Sequence, residues 1–504
     1  MLVKNRPMND HDWVSLADLL KRCSALSDLL FELRDQLPPC VLSTLHEYHP
    51  RCRLHMRSFN VRSLLTSEPD THELAIASSP CLHSIWFSYM ILEEDAYASR
   101  SQRVIQQVLA NLAPNVEDVR FWRTRYSSPG GPGWQHTRLP MEKNSRNQSI
   151  RLRHLEVNAA RHHNFVLTRQ DLQSWHTHAD FSHLHTLILK SELDLDALRW
   201  LTECDFAALK VLSFQPHSSI HQRSSHIITA LAKTFVVSLP PLSELTIEYR
   251  WCVDMMEAVY QRHGDSLHTL RLPQTDKLMP NEAAPMLTEI KDQCPLLTDF
   301  EITIVKDQGS RAEVAVYKAL ATFPCLRNLA IGFRTRYYCV EREQGRMPPY
   351  DRFDKKRSGR YGDMRRTFID SAIDEDFANA VFHLVSPPDR LRRLEELRLL
   401  SRPRHPDGPK MQIYDIFKWM CRSWSVKLGV RDDRPNDVVM RELGTEERKR
   451  KGCPAQLNVP VEEIFRRIWP KKSRGWWDDW YSFLDLDDAD VEMIRKSGWK
   501  IDSE

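Results

Sequence analysis

Twelve short segments of the chain share the pattern apolar-x-x-apolar-x-apolar. In order they are Leu26-Leu29-Phe31, the degenerate Arg51-Leu54-Met56, Leu82-Ile85-Phe87, Val116-Val119-Phe121, Leu152-Leu155-Val157 and Leu184-Leu187-Leu189. They continue with Leu209-Leu212-Phe214, Leu242-Leu245-Ile247, Leu267-Leu270-Leu272, Leu297-Phe300-Ile302, Leu326-Leu329-Ile331 and Leu394-Leu397-Leu399. Their starts lie 25 to 36 residues apart, except for a last step of 68. Alternation over the last four residues of each segment predicts a short strand, and recurrence at this period predicts a solenoid in which each unit packs on its neighbours. The intervals carry apolar residues one helical turn apart, as at Val104, Ile105, Val108, Leu109 and Leu112, and at Ile227, Ile228, Leu231 and Phe235. In five units a proline (Pro80, Pro114, Pro240, Pro295 or Pro324) stands two residues before the first apolar position. Proline lacks an N–H and pushes the preceding residue out of the helical region, so it ends the helix where the next strand begins. The predicted fold class is α/β: a curved parallel sheet with helices on its convex side.

The same alternation predicts which side chains leave the core. The second and third apolar residues of a segment point inward, and the residues beside them point to the open face of the sheet. In the middle of the array this face carries Thr186, Ile188, Val211 and Ser213, with charged groups on either side. An apolar centre with a polar rim is a common interface arrangement, which makes Trp86, Arg120, Glu156, Ile188, Val211, Ser213, Thr246 and Arg271 the candidate partner-binding residues.

Residues 1–25 read as an N-terminal capping helix with Trp13, Leu16, Leu19 and Leu20 on one face, and 26–402 as the repeat solenoid. Two insertions interrupt it. One, 127–149, is rich in glycine and proline; the other, 341–366, alternates Arg and Lys with Tyr350, Phe353 and Tyr361. A helix with Phe377, Val381 and Leu384 on one face is expected before the last repeat. Residues 403–504 read as a helical, Trp-rich cap. It opens with a helix holding Ile413, Phe417, Trp419, Met420 and Trp424, and ends with Trp469, Trp476, Trp477, Trp480 and Trp499. A solenoid needs such a terminal element because its last repeat exposes a core face.

Charge and composition narrow the function classes. A net charge of +3 over 504 residues provides no global field for nucleic acid or an anionic membrane. The N-terminus lacks the apolar run of a signal peptide, and no apolar stretch approaches membrane-spanning length, so the expected location is intracellular, in cytoplasm or nucleus. The eleven cysteines are scattered, with no Cys-x-x-Cys pair, and are read as reduced thiols. His176-x-His178 and His183-x-His185 form the most metal-like cluster, but no cysteine completes a ligand set. In His46-Glu47-Tyr48-His49 the second histidine is one residue too close for a zinc-protease helix. The basic, aromatic insertion could stack bases or bind phosphate; a charge run in a long insertion is more often a solvated segment. Glycine-rich phosphate cradles and nucleophile elbows are absent, so the reading is of no enzyme, no catalytic residue, no cofactor and no metal.

The segments Leu37-Pro-Pro-Cys-Val-Leu-x-x-Leu-His46, His49-Pro-x-Cys-x-Leu-His55 and Ala77-Ser-Ser-Pro-Cys-Leu82, followed by the repeats to about residue 400, resemble fungal F-box-associated proteins with irregular leucine-rich repeats. The resemblance implies a substrate-recognition subunit of a cullin-type ubiquitin ligase, in which a three-helix F-box holds the ligase adaptor and the repeats select an unknown protein target. The sequence departs from that plan. An F-box of about forty residues belongs before the repeats, and only 25 residues stand there; a degenerate F-box over 37–75 is the other way to place it. The alternatives are a repeat scaffold with no ligase link and, further off, a nucleic-acid binder using the insertion. The pattern says nothing of oligomeric state.

Overall fold

The computed structural model describes residues 10–33, 36–57, 59, 70–91, 106, 109, 112–113, 115–125, 151–159, 166–216, 225–248, 253–273, 278–335, 363–387, 394–401, 412–429, 438–452, 456–457, 459–470, 473 and 475–496. The insertion at 127–149, most of that at 341–366 and most of the helix expected over 104–112 lie outside them. The chain forms two compact units, Met1–Leu242 with Cys252–Val259, and Ser243–Trp251 with Tyr260–Glu504.

In the first unit the strands are β1 (Asp28–Phe31), β2 (Arg53–Met56), β3 (Leu82–Ile91), β4 (Asp118–Arg125), β5 (His154–Ala159), the short β6 (Val166–Leu167), β7 (Thr186–Leu193) and β8 (Val211–Pro216). Apart from β6, which pairs only with the end of β7, they pair in chain order and all in parallel. The helices are α1 (Val14–Arg22), α2 (Pro39–Tyr48), α3 (Thr71–Ala77), α4 (Arg169–His176), α5 (Leu195–Leu201) and α6 (Ser225–Ser238), followed by α7 (Val253–His263), which spans the division between the units. Strand after helix after strand leaves parallel pairing as the natural outcome, since each crossover returns the chain to the same end of the sheet.

The second unit holds β9 (Glu244–Ile247), β10 (Thr269–Leu272), β11 (Asp299–Val305), β12 (Asn328–Arg334) and β13 (Glu396–Ser401), again parallel and in order. Between them run α8 (Pro280–Gln293), α9 (Arg311–Ala321), α10 (Asp363–Ser371) and α11 (Glu375–Val385), the last being the helix expected around Phe377, Val381 and Leu384. Arg365 and Arg366, counted in the insertion by sequence, stand on α10. Then come α12 (Gln412–Met420), β14 (Ser423–Leu428), β15 (Val438–Leu443), α13 (Thr445–Lys451), α14 (Val459–Ile468) and α15 (Asp488–Lys496).

All twelve apolar segments contain a strand. Their middle residues lie opposite one another in register, as Val119↔Leu155, Leu155↔Leu187, Leu187↔Leu212, Leu245↔Leu270, Leu270↔Phe300 and Phe300↔Leu329. Each of these side chains is at most 2% exposed. Within each of the two compact units, stacking the same apolar position of successive strands builds a core, and the period-two alternation is what forces this register. Leu245→Ala should therefore cost about 2–5 kcal/mol, measured by chemical denaturation; a loss below about half a kcal/mol would place Leu245 outside the core.

Two expectations need correction, and one strand pair departs from the register of the others. Leu19 is exposed; the buried face of α1 is Ala17 and Leu20, because Leu19 is rotated some 100° from Leu20 around the helix. The pairing of β2 with β3 is offset by two residues from the motif, so that Met56, not Leu54, lies opposite Ile85, and the register shifts by one more residue between Leu54 and His55. Beyond 403 the chain is not purely helical. Trp424 lies in β14, which pairs antiparallel with β13, and β15 pairs antiparallel with β14. The link from β14 to β15, residues 429–437, is too short for the dozen or more residues of a parallel crossover.

Candidate interaction face

Five of the eight predicted partner-binding residues fall in a single row. Trp86 on β3 lies opposite Arg120 on β4, Arg120 opposite Glu156 on β5, Glu156 opposite Ile188 on β7, and Ile188 opposite Ser213 on β8. Val211 stands in the adjoining row opposite Thr186. Thr246 and Arg271 belong to the second unit, where they face each other across β9 and β10.

The side chains of the first unit's row are tied to one another. Trp86 is held between two guanidinium groups, with Arg57 Cζ 4.6 Å and Arg120 Cζ 4.3 Å from the ring centroid. Arg120 donates from Nε and Nη2 to the two carboxylate oxygens of Asp118, at 3.2 and 3.1 Å, and its Nη1 lies 4.0 Å from Glu156. Glu156 is buried and accepts from Lys190 Nζ at 2.9 Å. Arg57 donates to Glu32 at 3.1 Å.

At the N-terminal end of the face, Arg53 and His55 both donate to Asp28, and together they hold its carboxyl well below the usual carboxylate range. A carboxylate only accepts, so His55 Nε2 carries a proton toward Asp28, and Nδ1 shares a hydrogen bond with the Ser84 hydroxyl at 2.9 Å. Burial depresses the pKa of His154, beside Asp118. Leu30 and Trp122 are the large apolar side chains on this side that remain exposed, at 50% and 44%.

Sequence reasoning missed Glu32, Arg57, Trp122 and Lys190. All four share the outward parity of their strands and lie one step beyond the repeat motif, so continuing the alternation by two residues would have found them. That Arg57, and not His55, meets Trp86 follows from the register slip between β2 and β3, which no sequence pattern announces.

Three of the four metal-like histidines have structural occupations. His176 packs edge-on against Phe181 and Trp200, and the rings of His183 and His185 hydrogen-bond to the Ser182 hydroxyl and the His183 carbonyl. His46 bonds to the Ser79 hydroxyl and His49 to the Leu20 carbonyl, at 2.8 and 2.7 Å, linking neighbouring units. Among the described residues no three His, Cys, Asp or Glu side chains gather as a metal site, and no helix is long and apolar enough to cross a membrane. The eight cysteines described are free thiols, and burial pushes Cys204 and Cys294 up to about 12, far from the reactive range.

No family model matches this chain, and no curated protein matches its sequence.

Proposed function

We propose that the chain is a protein-interaction module built from irregular leucine-rich repeats, whose partner docks on the outward row from Trp86 to Ser213, with residues 403–504 closing the repeats as a cap. The observation that carries this reading is the Arg57–Trp86–Arg120 stack. Tryptophan and arginine dominate binding hot spots, and side chains already locked by neighbours lose little entropy on docking. The cations of the face are balanced by carboxylates within it: Arg53 by Asp28, Arg57 by Glu32, Arg120 by Asp118, and Lys190 by Glu156. Paired cations suit a mixed-charge protein surface better than a phosphate backbone, whose affinity comes from neutralising unpaired ones.

The scaffold reading without a ligase link gains from residues 37–75. Among the described residues of this segment α2 and β2 follow the strand-and-helix order of the neighbouring units, and β2 pairs with β1 and β3, which supports reading them as a repeat. The ligase role rests on the family resemblance alone.

The test is quantitative mass spectrometry of proteins captured by the tagged full chain and by variants Trp86→Ala and Arg120→Glu. Each variant should lower recovery of one shared set of partners by about tenfold or more, with far-UV spectrum and melting point preserved. Ile188→Asp with Val211→Asp should act in the same direction. Capture unchanged by all of these would remove the docking face from the row. Recovery of a ligase adaptor and a cullin in the same sample would decide for the ligase role, and their absence beside other stable partners for the scaffold.

A further inference from the structure

The Trp-rich region of the second unit contains a cation that makes no ion pair among the described residues. Arg422, just after α12, is half-buried, and its guanidinium stacks on Trp480 with Cζ 4.9 Å from the ring centroid. Among the described residues it makes no side-chain hydrogen bond and no ion pair, and its Nε is buried without a partner. The carboxylates around it are otherwise engaged. Glu442 accepts both Nε and Nη2 of Arg448, at 2.7 and 2.6 Å, and Asp374 accepts from the Phe377 amide and from the amide and hydroxyl of Ser482; Asp478 is exposed.

A second pair repeats the arrangement, since Arg448 lies over Trp419 at 4.7 Å, and Trp419 stands three residues before Arg422. The indole N–H groups of both Trp419 and Trp480 are buried and find no acceptor among the described residues. Trp480 itself is only 8% exposed. All the orphaned groups named here are donors, and the carboxylate of Glu442 is already taken by Arg448. Buried donors without acceptors are costly, and a chain that keeps several together around an unpaired guanidinium has the inventory of a site for an anion. Burial, then the neighbouring charge of Arg448, depresses the pKa of Arg422, against the opposing pull of Glu442, Asp374 and Asp478.

We propose that Arg422, with Arg448 and the indole N–H groups of Trp419 and Trp480, binds a phosphate-type oxyanion. Guanidinium is suited to this chemistry because its planar fork of N–H donors matches the spacing of oxyanion oxygens. The two tryptophans supply further neutral donors and exclude water, so the charge acts in a weakly screened environment.

Inorganic phosphate is the probe. Titrated into the full chain at constant ionic strength, it should give a saturable change in tryptophan fluorescence and raise the melting temperature. Acetate and chloride should do so far less. Arg422→Gln and Trp480→Phe should each weaken phosphate binding by about tenfold or more. Without phosphate, Arg422→Gln should melt no lower than the wild type, because it removes an unpaired charge; a purely structural arginine would instead lose stability. Phosphorus-31 line broadening of phosphate by the wild-type protein gives a reading that needs no variant to fold. No saturable phosphate signal, equal affinity in Arg422→Gln, or the same response to acetate and chloride would overturn the site.

Discussion

Gly309→Ala should destabilise the second unit by about 3 kcal/mol or more, while Gly444→Ala should cost about 1–2 kcal/mol, although both glycines have positive φ. At Gly444 (φ +79°) an added Cβ meets nothing within 4 Å, so only the left-handed backbone conformation is penalised. At Gly309 (φ +68°) the Cβ would lie 1.9 Å from the carbonyl oxygen of Phe483 and 2.6 Å from its carbon, both backbone atoms. The backbone of Phe483 thus lies close to Gly309, and polar contacts on either side hold the C-terminal segment there. The Asp485 amide donates to the Gly309 carbonyl at 2.7 Å, Lys318 reaches Asp487 and Asp490 at 3.0 and 2.8 Å, and Ser482 bonds to Asp374. A methyl group at 309 must push the segment off, taking these bonds with it. Urea denaturation of the two variants side by side measures the difference; equal losses would show that the segment does not depend on close approach at Gly309.

The loop that carries Gly309 is organised by a buried carboxylate, and removing its charge should have the other large effect. Glu313 is fully buried, and Lys306 is 1% exposed. Glu313 Oε1 accepts from Lys306 Nζ at 2.8 Å and from the Tyr317 hydroxyl at 2.6 Å; Oε2 accepts from the amides of Asp307 and Gly309 at 2.8 and 3.0 Å. Lys306 also lies 4.2 Å above the Phe377 ring. Glu313→Gln strands a buried ammonium, which costs about 3–5 kcal/mol when a buried pair is broken. Lys306→Met should cost less, because three donors still satisfy the carboxylate. Melting curves of both variants check the order, and a Glu313→Gln variant as stable as the wild type would mean that water reaches Lys306.

The repeat architecture was largely legible in the chain because one physical constraint wrote it repeatedly. Leu187, Leu212, Leu245, Leu270 and Leu329 each sit at the middle of an apolar-x-x-apolar-x-apolar segment, and a strand buried on one face has no other way to pattern its residues. The candidate face was legible to the same extent, since Trp86, Arg120, Glu156, Ile188 and Ser213 follow from alternation alone. What neighbours them was not. Arg57 reaches Trp86 through a slip in strand register, and Lys190 reaches Glu156 from the next strand but one residue pair further along. The C-terminal strands were hidden for another reason: Trp424 satisfies a helical spacing from Phe417 and Met420 as well as it satisfies a strand, and short apolar runs do not separate the two.

By itself, then, the sequence determined the α/β class, the twelve strand positions and the identity of their inward residues, because burial of a periodic apolar set depends only on local spacing. Only the tertiary structure decided which polar groups meet. Glu313 takes the 307–309 loop, Gly309 lies close to the backbone of Phe483, and Arg422 makes no ion pair among the described residues. Such pairings join residues far apart in the chain, as Ser482 and Asp374 are, and they are set by distance and direction after the core has formed. Hydrogen bonds and ion pairs are directional and short-ranged, whereas hydrophobic burial is neither, so the chain announces its core and leaves its polar contacts to the folded geometry.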